Sequence, residues 1–281
     1  MPKVSVIMPC YNQGLYIDEA VDSVLTQTFQ DFEIIIVNDG STDSYTNEIL
    51  KNYNKPKTRV IHTVNQGVSA ARNCGIKASC GEYILPLDAD DKINNTYLQK
   101  AVQILDTNKN IGIVYSEALF FGEKKQKWNL PDYYFNDMLK VNHIFCSAFF
   151  RRADYDKTAG YDSNMVHGLE DWDFWLSLIE LNVTIYKIPE ILFHYRIKKV
   201  SKSTVIDNDT FKMKVLNSYV FYKHIHLYSE YSDAITAHFE KKELQKTILQ
   251  IKNSYTFKIG MFIVKPFSWL KNLITYNKGD F

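Results

Sequence analysis

The sequence predicts an α/β protein: a mainly parallel sheet flanked by helices, followed by a helical C-terminal extension. Three observations carry that expectation. Before residue 90, short β-branched apolar runs alternate four times with segments of helical periodicity. The runs are nearly continuous rather than alternating, as parallel strands covered on both faces require. Each run ends in a polar turn, on the sheet edge where open α/β folds bind their ligands.

The elements follow in order. VSVIMP (4–9) reads as a buried first strand. Asn12 is placed to cap the next helix, in which Ile17, Ala20, Val21, Val24 and Leu25 recur at helical spacing. FEIIIV (32–37) is the second strand, and NDGSTD (38–43) a turn and helix start. RVIHT (59–63) is a weaker third strand, residues 68–78 a helix, and EYILPL (82–87) the fourth strand. Right-handed crossovers between parallel strands are the natural topology. Beyond residue 110 the pattern loosens. IGIVYSEALFF (111–121) predicts a strand pair, and WNLPDYYFNDMLKVNHIF (128–145) is aromatic and mixed. GLEDWDFWLSLIEL (168–181) predicts a helix with acids in its first turn. VTIYKI (183–188) and ILFHYRI (191–197) predict two strands, and from about residue 207 the chain reads as helical, basic and aromatic.

Bulk properties bound the function. A chain of 281 residues accommodates one large α/β domain with an appendage. Apolar residues make up 46% and charged residues 23%, which places it among globular proteins, and a net charge of +1 gives no global pull toward nucleic acid or membrane. Cys10, Cys74, Cys80 and Cys146 form no C-x-x-C pair, so they predict small reduced core residues rather than a zinc or redox site. The N-terminus reaches a proline too soon for a signal peptide. No apolar run approaches the roughly 20 residues of a spanning helix. The expectation is a cytoplasmic protein, soluble or peripheral at the inner face of the cell membrane.

The polar turns carry the chemistry. PCYN, NDGS, NQG and DADD follow strands one to four, and four such turns converging on one edge predict a pocket. Neither G-x-G-x-x-G after strand one nor G-x-x-x-x-G-K-[ST] occurs, which argues against a dinucleotide dehydrogenase and a P-loop NTPase. Asp88, Asp90 and Asp91 are hard oxygen donors suited to Mg²⁺ or Mn²⁺ with water and phosphate completing the shell. For an isolated D-x-D-D the plainer reading is a helix cap.

In their order, PCYN, VNDGSTD, NQGVSAARNCGI, LDADD and GLEDWDFW resemble a family 2 glycosyltransferase, inverting and of the GT-A fold. The resemblance covers roughly residues 3–205. It implies a nucleotide-binding half (1–110) and an acceptor half (111–205) of one catalytic domain, with residues 206–281 as a helical extension. It implies that Pro9, Tyr11, Asn12 and Asp39 hold the nucleotide base, that Arg72 reaches a phosphate or the acidic turn, and that Asp88 faces ribose or sugar. Asp90 would hold the metal, with His194 as a further metal or phosphate ligand. Asp91 would stand behind them or cap the next helix. Asp171 would be the general base, taking the proton of the acceptor hydroxyl as it attacks the anomeric carbon. Glu170 and Trp172 would support it or line the acceptor face, as would Trp175, for which core packing is an equal reading. Arg196, Lys198 and Ser201 match the segment that closes over the diphosphate. Many relatives carry a histidine two residues after that arginine, where this chain has Lys198, which leaves the metal shell open.

The implied activity is transfer of a sugar from a nucleotide-sugar, UDP-linked by expectation, to a glycan or lipid-linked glycan acceptor in bacterial surface polysaccharide synthesis, with Mn²⁺ or Mg²⁺. No nucleic-acid partner is expected. The basic, aromatic tail 257–281 predicts either membrane-surface contact or a homodimer contact. Two rival readings differ in class. A sugar-nucleotide nucleotidyltransferase would release pyrophosphate, but PCYNQG lacks the Gly-rich basic loop such enzymes carry. A non-catalytic glycan-binding relative would be indifferent to Asp171→Asn.

Overall fold

The computed structural model describes residues 1–198 and 210–229, with short stretches between 241 and 258. The expectations for Ser201 and for the tail 257–281 fall outside the described residues, Lys258 excepted. Two compact units are present, Met1–Leu227 and Tyr228–Phe281.

The first unit is built on one sheet. Its strands are β1 (Val4–Cys10), β2 (Phe32–Asp39), β3 (Thr58–Thr63), β4 (Tyr83–Pro86), β5 (Lys92–Ile93), β6 (Ile111–Gly122), β7 (Gln126–Trp128), β8 (Phe149–Arg151) and β9 (Thr184–Ile197). Their order is β3-β2-β1-β4-β8-β6-β9-β5, with β7 on β6. The four strands of the first half are parallel, as their continuous apolar runs require. Every residue of β1 is buried, and Val4, Val6, Ile7 and Met8 have no exposed surface. Helices α1 (Ile17–Leu25), α2 (Ser44–Lys51), α3 (Val68–Ala78) and α4 (Tyr97–Thr107) connect or follow these strands. Helix α3 lies close on the sheet because Gly75 has no side chain: a Cβ there would meet Ile7 Cγ2 at 2.5 Å.

The second half is mixed, and two sequence expectations fail there. Residues 111–121 lie in one long strand, β6, not in a pair. Residues 183–188 and 191–197 likewise form one strand, β9. The two pair in parallel, and the register steps from Ser116↔Ile188 to Glu117↔Ile191. The bulge leaves Pro189 and Glu190 outside the ladder, so a proline without an N–H interrupts the pattern but not the strand. The aromatic stretch 128–145 packs over this pair, with Trp128 stacked on Phe120 (4.8 Å) and Phe145 on Phe193 (4.3 Å).

Helices α5 (Phe135–Met138), α6 (Arg152–Tyr155) and α7 (Glu170–Ile179) complete this half. Helix α8 (Thr210–Lys223) falls within the first unit. Charged contacts join its end to the rest of the unit: Lys223 Nζ lies 2.8 Å from Asp173 Oδ2 and 2.9 Å from Asp162 Oδ2, and His224 Nε2 lies 3.0 Å from Asp173 Oδ1. All four cysteines are free. Cys80 is exposed, against the expectation of core residues throughout.

Candidate active site

Strands β1 and β4 are paired only as far as Ile7↔Pro86. Beyond that pair they part, and this is also where the strand order reverses, β2 and β3 lying to one side and β4 to the other. Such a point opens a crevice beyond the carboxyl ends of the strands. Pro9 sits in it, buried, past the last β4 pairing, where its missing N–H breaks no ladder bond to β4.

On the β1–β2 side the turns lock each other. Asn12 adopts a left-handed backbone (φ 56°) and does not cap α1, which begins at Ile17 with Tyr16 at its N-cap position. Its side-chain oxygen accepts from the Thr42 and Asp43 amides at 2.8 and 3.1 Å, and its amide nitrogen donates to Thr42 Oγ1 at 3.0 Å. Asp39, 4% exposed, accepts from the Gln66 amide on one oxygen and the Gly67 amide on the other, both at 2.9 Å. Gly40 makes that approach possible: it is left-handed (φ 61°), and a Cβ there would lie 2.4 Å from the Asn65 nitrogen. Asn12 and Asp39, two of the four residues expected at the base, therefore shape the pocket wall. Their carboxylate and amide keep lone pairs or donors beyond those used. Tyr11, by contrast, is an aromatic ring 44% exposed at the strand end.

Across the crevice, Arg72 of α3 joins the two acidic clusters. It is 1% exposed, with Nη2 2.9 Å from Asp88 Oδ1 and Nη1 3.0 Å from Glu170 Oε1, and it lies over the Tyr161 ring at 5.4 Å. Burial disfavours its charge, but Asp88 and Glu170 more than offset this. The Cys146 thiol lies 3.5 Å from the other Asp88 oxygen. Cys146 and Tyr161 are site neighbours that carried no sequence signal, since neither stands in a polar turn.

Helix α7 presents the second cluster. Gly168 (φ 118°) and Leu169 (φ 62°) turn the chain through the left-handed region, so Glu170 and Asp171 emerge at the helix start. Asp171 accepts from the Trp172 amide at 2.8 Å. Its pKa is pushed up to about 7, by burial first and by the Glu170 charge second, with Arg72 opposing. Trp172 is 3% exposed and donates to the Met138 carbonyl at 2.8 Å, while Trp175 is fully buried and donates to Ile144 O at 3.1 Å. Neither ring presents a face to solvent. Both anchor the stretch 138–144 from beneath.

The acidic turn after β4 is closed by β9. Lys198 Nζ lies 2.5 Å from Asp90 Oδ2 and 3.2 Å from Gln13 Oε1. Asp91, 2% exposed, accepts from the Arg196 backbone amide at 2.7 Å, and α4 starts instead from Thr96, so Asp91 is no helix cap. Burial, then its acidic neighbours, raises the pKa of Asp91 far above the carboxylate range, and that of Asp90 less so because Lys198 counteracts. Arg196 is no free lid cation: Nε donates to Asp90 O at 2.7 Å, the guanidinium pairs with Glu19, and it lies between the Tyr16 and Phe121 rings at 4.7 and 4.3 Å. Tyr16, Glu19 and Gln13 of the α1 region are thus part of the site, although nothing in the sequence singled them out.

A divalent ion does not fit this donor set. Asp88 is held by Arg72 and Asp90 by Lys198, and Asp91 faces a backbone amide. His194 lies opposite Lys92 and Leu119 in the sheet, beside the Phe121 ring, and burial and the Lys92 charge lower its pKa. Among the described residues no group of three or more His, Cys, Asp or Glu side chains converges to hold a metal.

A family model described as glycosyl transferase family 2 matches residues 5–166. The uncharacterized glycosyltransferase MJ1057 of Methanocaldococcus jannaschii is 30% identical over 211 residues, covering 70% of this chain and 71% of that protein. The putative teichuronic acid biosynthesis glycosyltransferase TuaG of Bacillus subtilis is 34% identical over 211 residues, 72% of this chain and 82% of its own. Among solved structures, S. aureus TarS 1–349 in complex with UDP-GlcNAc superposes with a TM-score of 0.67 at 21% identity, covering 85% of this chain and 73% of that one. With TarS 1–349 crystallised alone the coverage of that chain is 60%. The likeness carries the fold, and with it the GT-A expectation. Among the described residues no helix is long and apolar enough to cross a membrane.

Proposed function

The chain belongs to glycosyl transferase family 2, and on that premise we propose that it transfers a sugar, with inversion, from a UDP-sugar to a hydroxyl of a glycan or lipid-linked glycan destined for the cell surface. The observation that carries the reading is the Asp171 carboxylate, at the start of α7, with its pKa raised to about 7 beside the Arg72–Asp88–Glu170 cluster. A base of that strength is matched to work near neutral pH.

The reaction follows from these positions. The acceptor hydroxyl oxygen attacks the anomeric carbon while its proton passes to Asp171. The bond from that carbon to the diphosphate oxygen breaks, and the electron pair leaves with the nucleoside diphosphate. One carboxylate suffices, because the leaving group needs charge stabilisation rather than a proton. The exposed Tyr11 ring supplies a stacking face for the base, and Arg72 fixes Asp88 toward the sugar. No step in this reading runs through Mn²⁺ or Mg²⁺, since the acidic turn is already paired. Support for a uridine donor comes from the UDP-GlcNAc complex of TarS, and for a surface polysaccharide from the name of TuaG.

The test is nucleoside diphosphate release from a panel of nucleotide sugars, by wild type and by Asp171→Asn. The reading expects release from a UDP-sugar, lost in the variant. Pyrophosphate release from a nucleoside triphosphate would establish the nucleotidyltransferase alternative instead.

A further inference from the structure

The Asp90–Lys198 pair has a chemistry of its own. The two side chains are 16% and 20% exposed, so they are mostly withdrawn from water but not sealed from it. Lys198 stands directly after the end of β9, where Arg196 two residues earlier is fixed on both its backbone and its guanidinium. That anchoring sets the ammonium on Asp90 rather than leaving it on a free tether. An ammonium has three N–H donors. Among the described residues Asp90 and Gln13 take two of them, and the Tyr16 ring lies 5.4 Å away. Among those residues one donor is left for an oxygen anion.

The charges at the turn agree. With Arg72 on Asp88 and Lys198 on Asp90, the carboxylates that would attract a divalent ion are already balanced by cations of the chain. A nucleoside diphosphate still brings negative charge that must be met as it leaves. Among the described residues, Nζ of Lys198 is a point charge at this turn with a donor to spare for it.

We propose that Lys198 is the counter-ion of the donor diphosphate, held by Asp90 in the place a divalent metal would take, so that this chain binds nucleotide without a metal. The proposal rests on the donor class argued above. It makes Asp90 a positioning residue for a lysine rather than a metal ligand.

The experiment is calorimetric titration of the full chain with UDP and UDP-GlcNAc, in chelator and in Mn²⁺, for wild type, Lys198→Ala and Lys198→Arg. Wild type is expected to bind with the same affinity in both buffers. Lys198→Ala is expected to lose about tenfold or more in chelator, the cost of removing a charged hydrogen bond, and to regain affinity with Mn²⁺ because Asp90 is then free. Lys198→Arg is expected to retain metal-independent binding. Should Lys198→Ala fail to fold, the neutral pair Asp90→Asn with Lys198→Met carries the same expectation in chelator. A wild type whose binding collapses in chelator would overturn the proposal and leave the donor reading standing. So would a Lys198→Ala that binds as wild type in chelator. Absence of binding by UDP, ADP, GDP and CDP under every condition would instead overturn the donor reading, and the proposal with it.

Discussion

The acidic turn after β4 and the acidic start of α7 lie on opposite sides of Arg72 and handle charge in opposite ways. At the turn, each carboxylate meets a cation or an amide: Asp88 has Arg72, Asp90 has Lys198, Asp91 has the Arg196 amide. At the helix, Glu170 meets Arg72, but Asp171 has, among the described residues, only the neighbouring Trp172 amide, and its pKa climbs to about 7. On the reading proposed above, the difference divides the work. Paired carboxylates hold cations in place for an anionic ligand. A carboxylate left without a cation in a partly buried site keeps its affinity for a proton, which is what a general base needs.

The sharpest way to break this contrast is Asp171→Asn. Removing the base while preserving shape is expected to lower turnover by about 10²- to 10⁴-fold, with UDP affinity unchanged by calorimetry. Equal losses in binding and turnover would assign Asp171 to the donor pocket and dissolve the division between the clusters.

Arg72→Met tests the residue that joins them. It leaves Glu170 and Asp88, with side chains 13% and 30% exposed, facing each other without their cation. The expected cost is about 3 kcal/mol, at the low end for breaking a buried pair because water reaches Asp88. The midpoint of urea denaturation measures it. The same variant removes the positive charge that restrains Asp171, so the rise of kcat/KM with pH is expected to move to higher pH.

That pH profile is a third test. Transfer needs Asp171 deprotonated, so kcat/KM is expected to increase with pH below about 7 and level above it. Stability runs the other way. Between the unfolded carboxylate value of 3.8 and about 7 the folded chain holds a proton the unfolded chain has lost, so raising pH through that window destabilises the fold. Asp171→Asn abolishes this loss. The variant is therefore expected to be the more stable protein at pH 7, read from thermal midpoints at pH 5 and 7, and an equal shift in both proteins would remove Asp171 as its source.

How much of this was legible in the sequence follows from the range of each interaction. The strands of the first half, and α1, α3 and α7, are written in local apolar periodicity and were readable. Strand β9 reads as two because Pro189 and Glu190 look like a break, whereas a bulge carries the strand past them. The polar turns at the strand ends were readable as a crevice. What joins them was not: Arg72 meets Glu170 across 98 residues of chain, and the Arg196 side chain reaches the Asp90 carbonyl across 106. Asp171 as base came from likeness to a family, and only its burial and its neighbours give that role a physical cause. Trp172 and Trp175 show the converse, since an aromatic near an acid reads the same whether it faces a sugar or the core.

The smallest effect comes from the third acid of the same helix turn, and it separates a paired acid from an unpaired one within α7. Asp173 has no exposed surface and lies between Lys223 and His224. Burial disfavours the His224 imidazolium, but Asp173 and Glu180 outweigh it and raise its pKa above the usual 6.5. A raised histidine contributes stability that is fully present below the unfolded value and is lost as pH rises through the folded one. His224→Gln is therefore expected to cost about 2 kcal/mol below pH 6.5, and less at each step above it, in urea melts taken across that range. The slope is opposite in origin to that of Asp171: one group gains its proton from partners, the other from their absence. A cost that stays constant from pH 5.5 to 9 would mean that His224 packs on Asp173 as a neutral ring, with Lys223 alone holding α8 to the base-bearing helix.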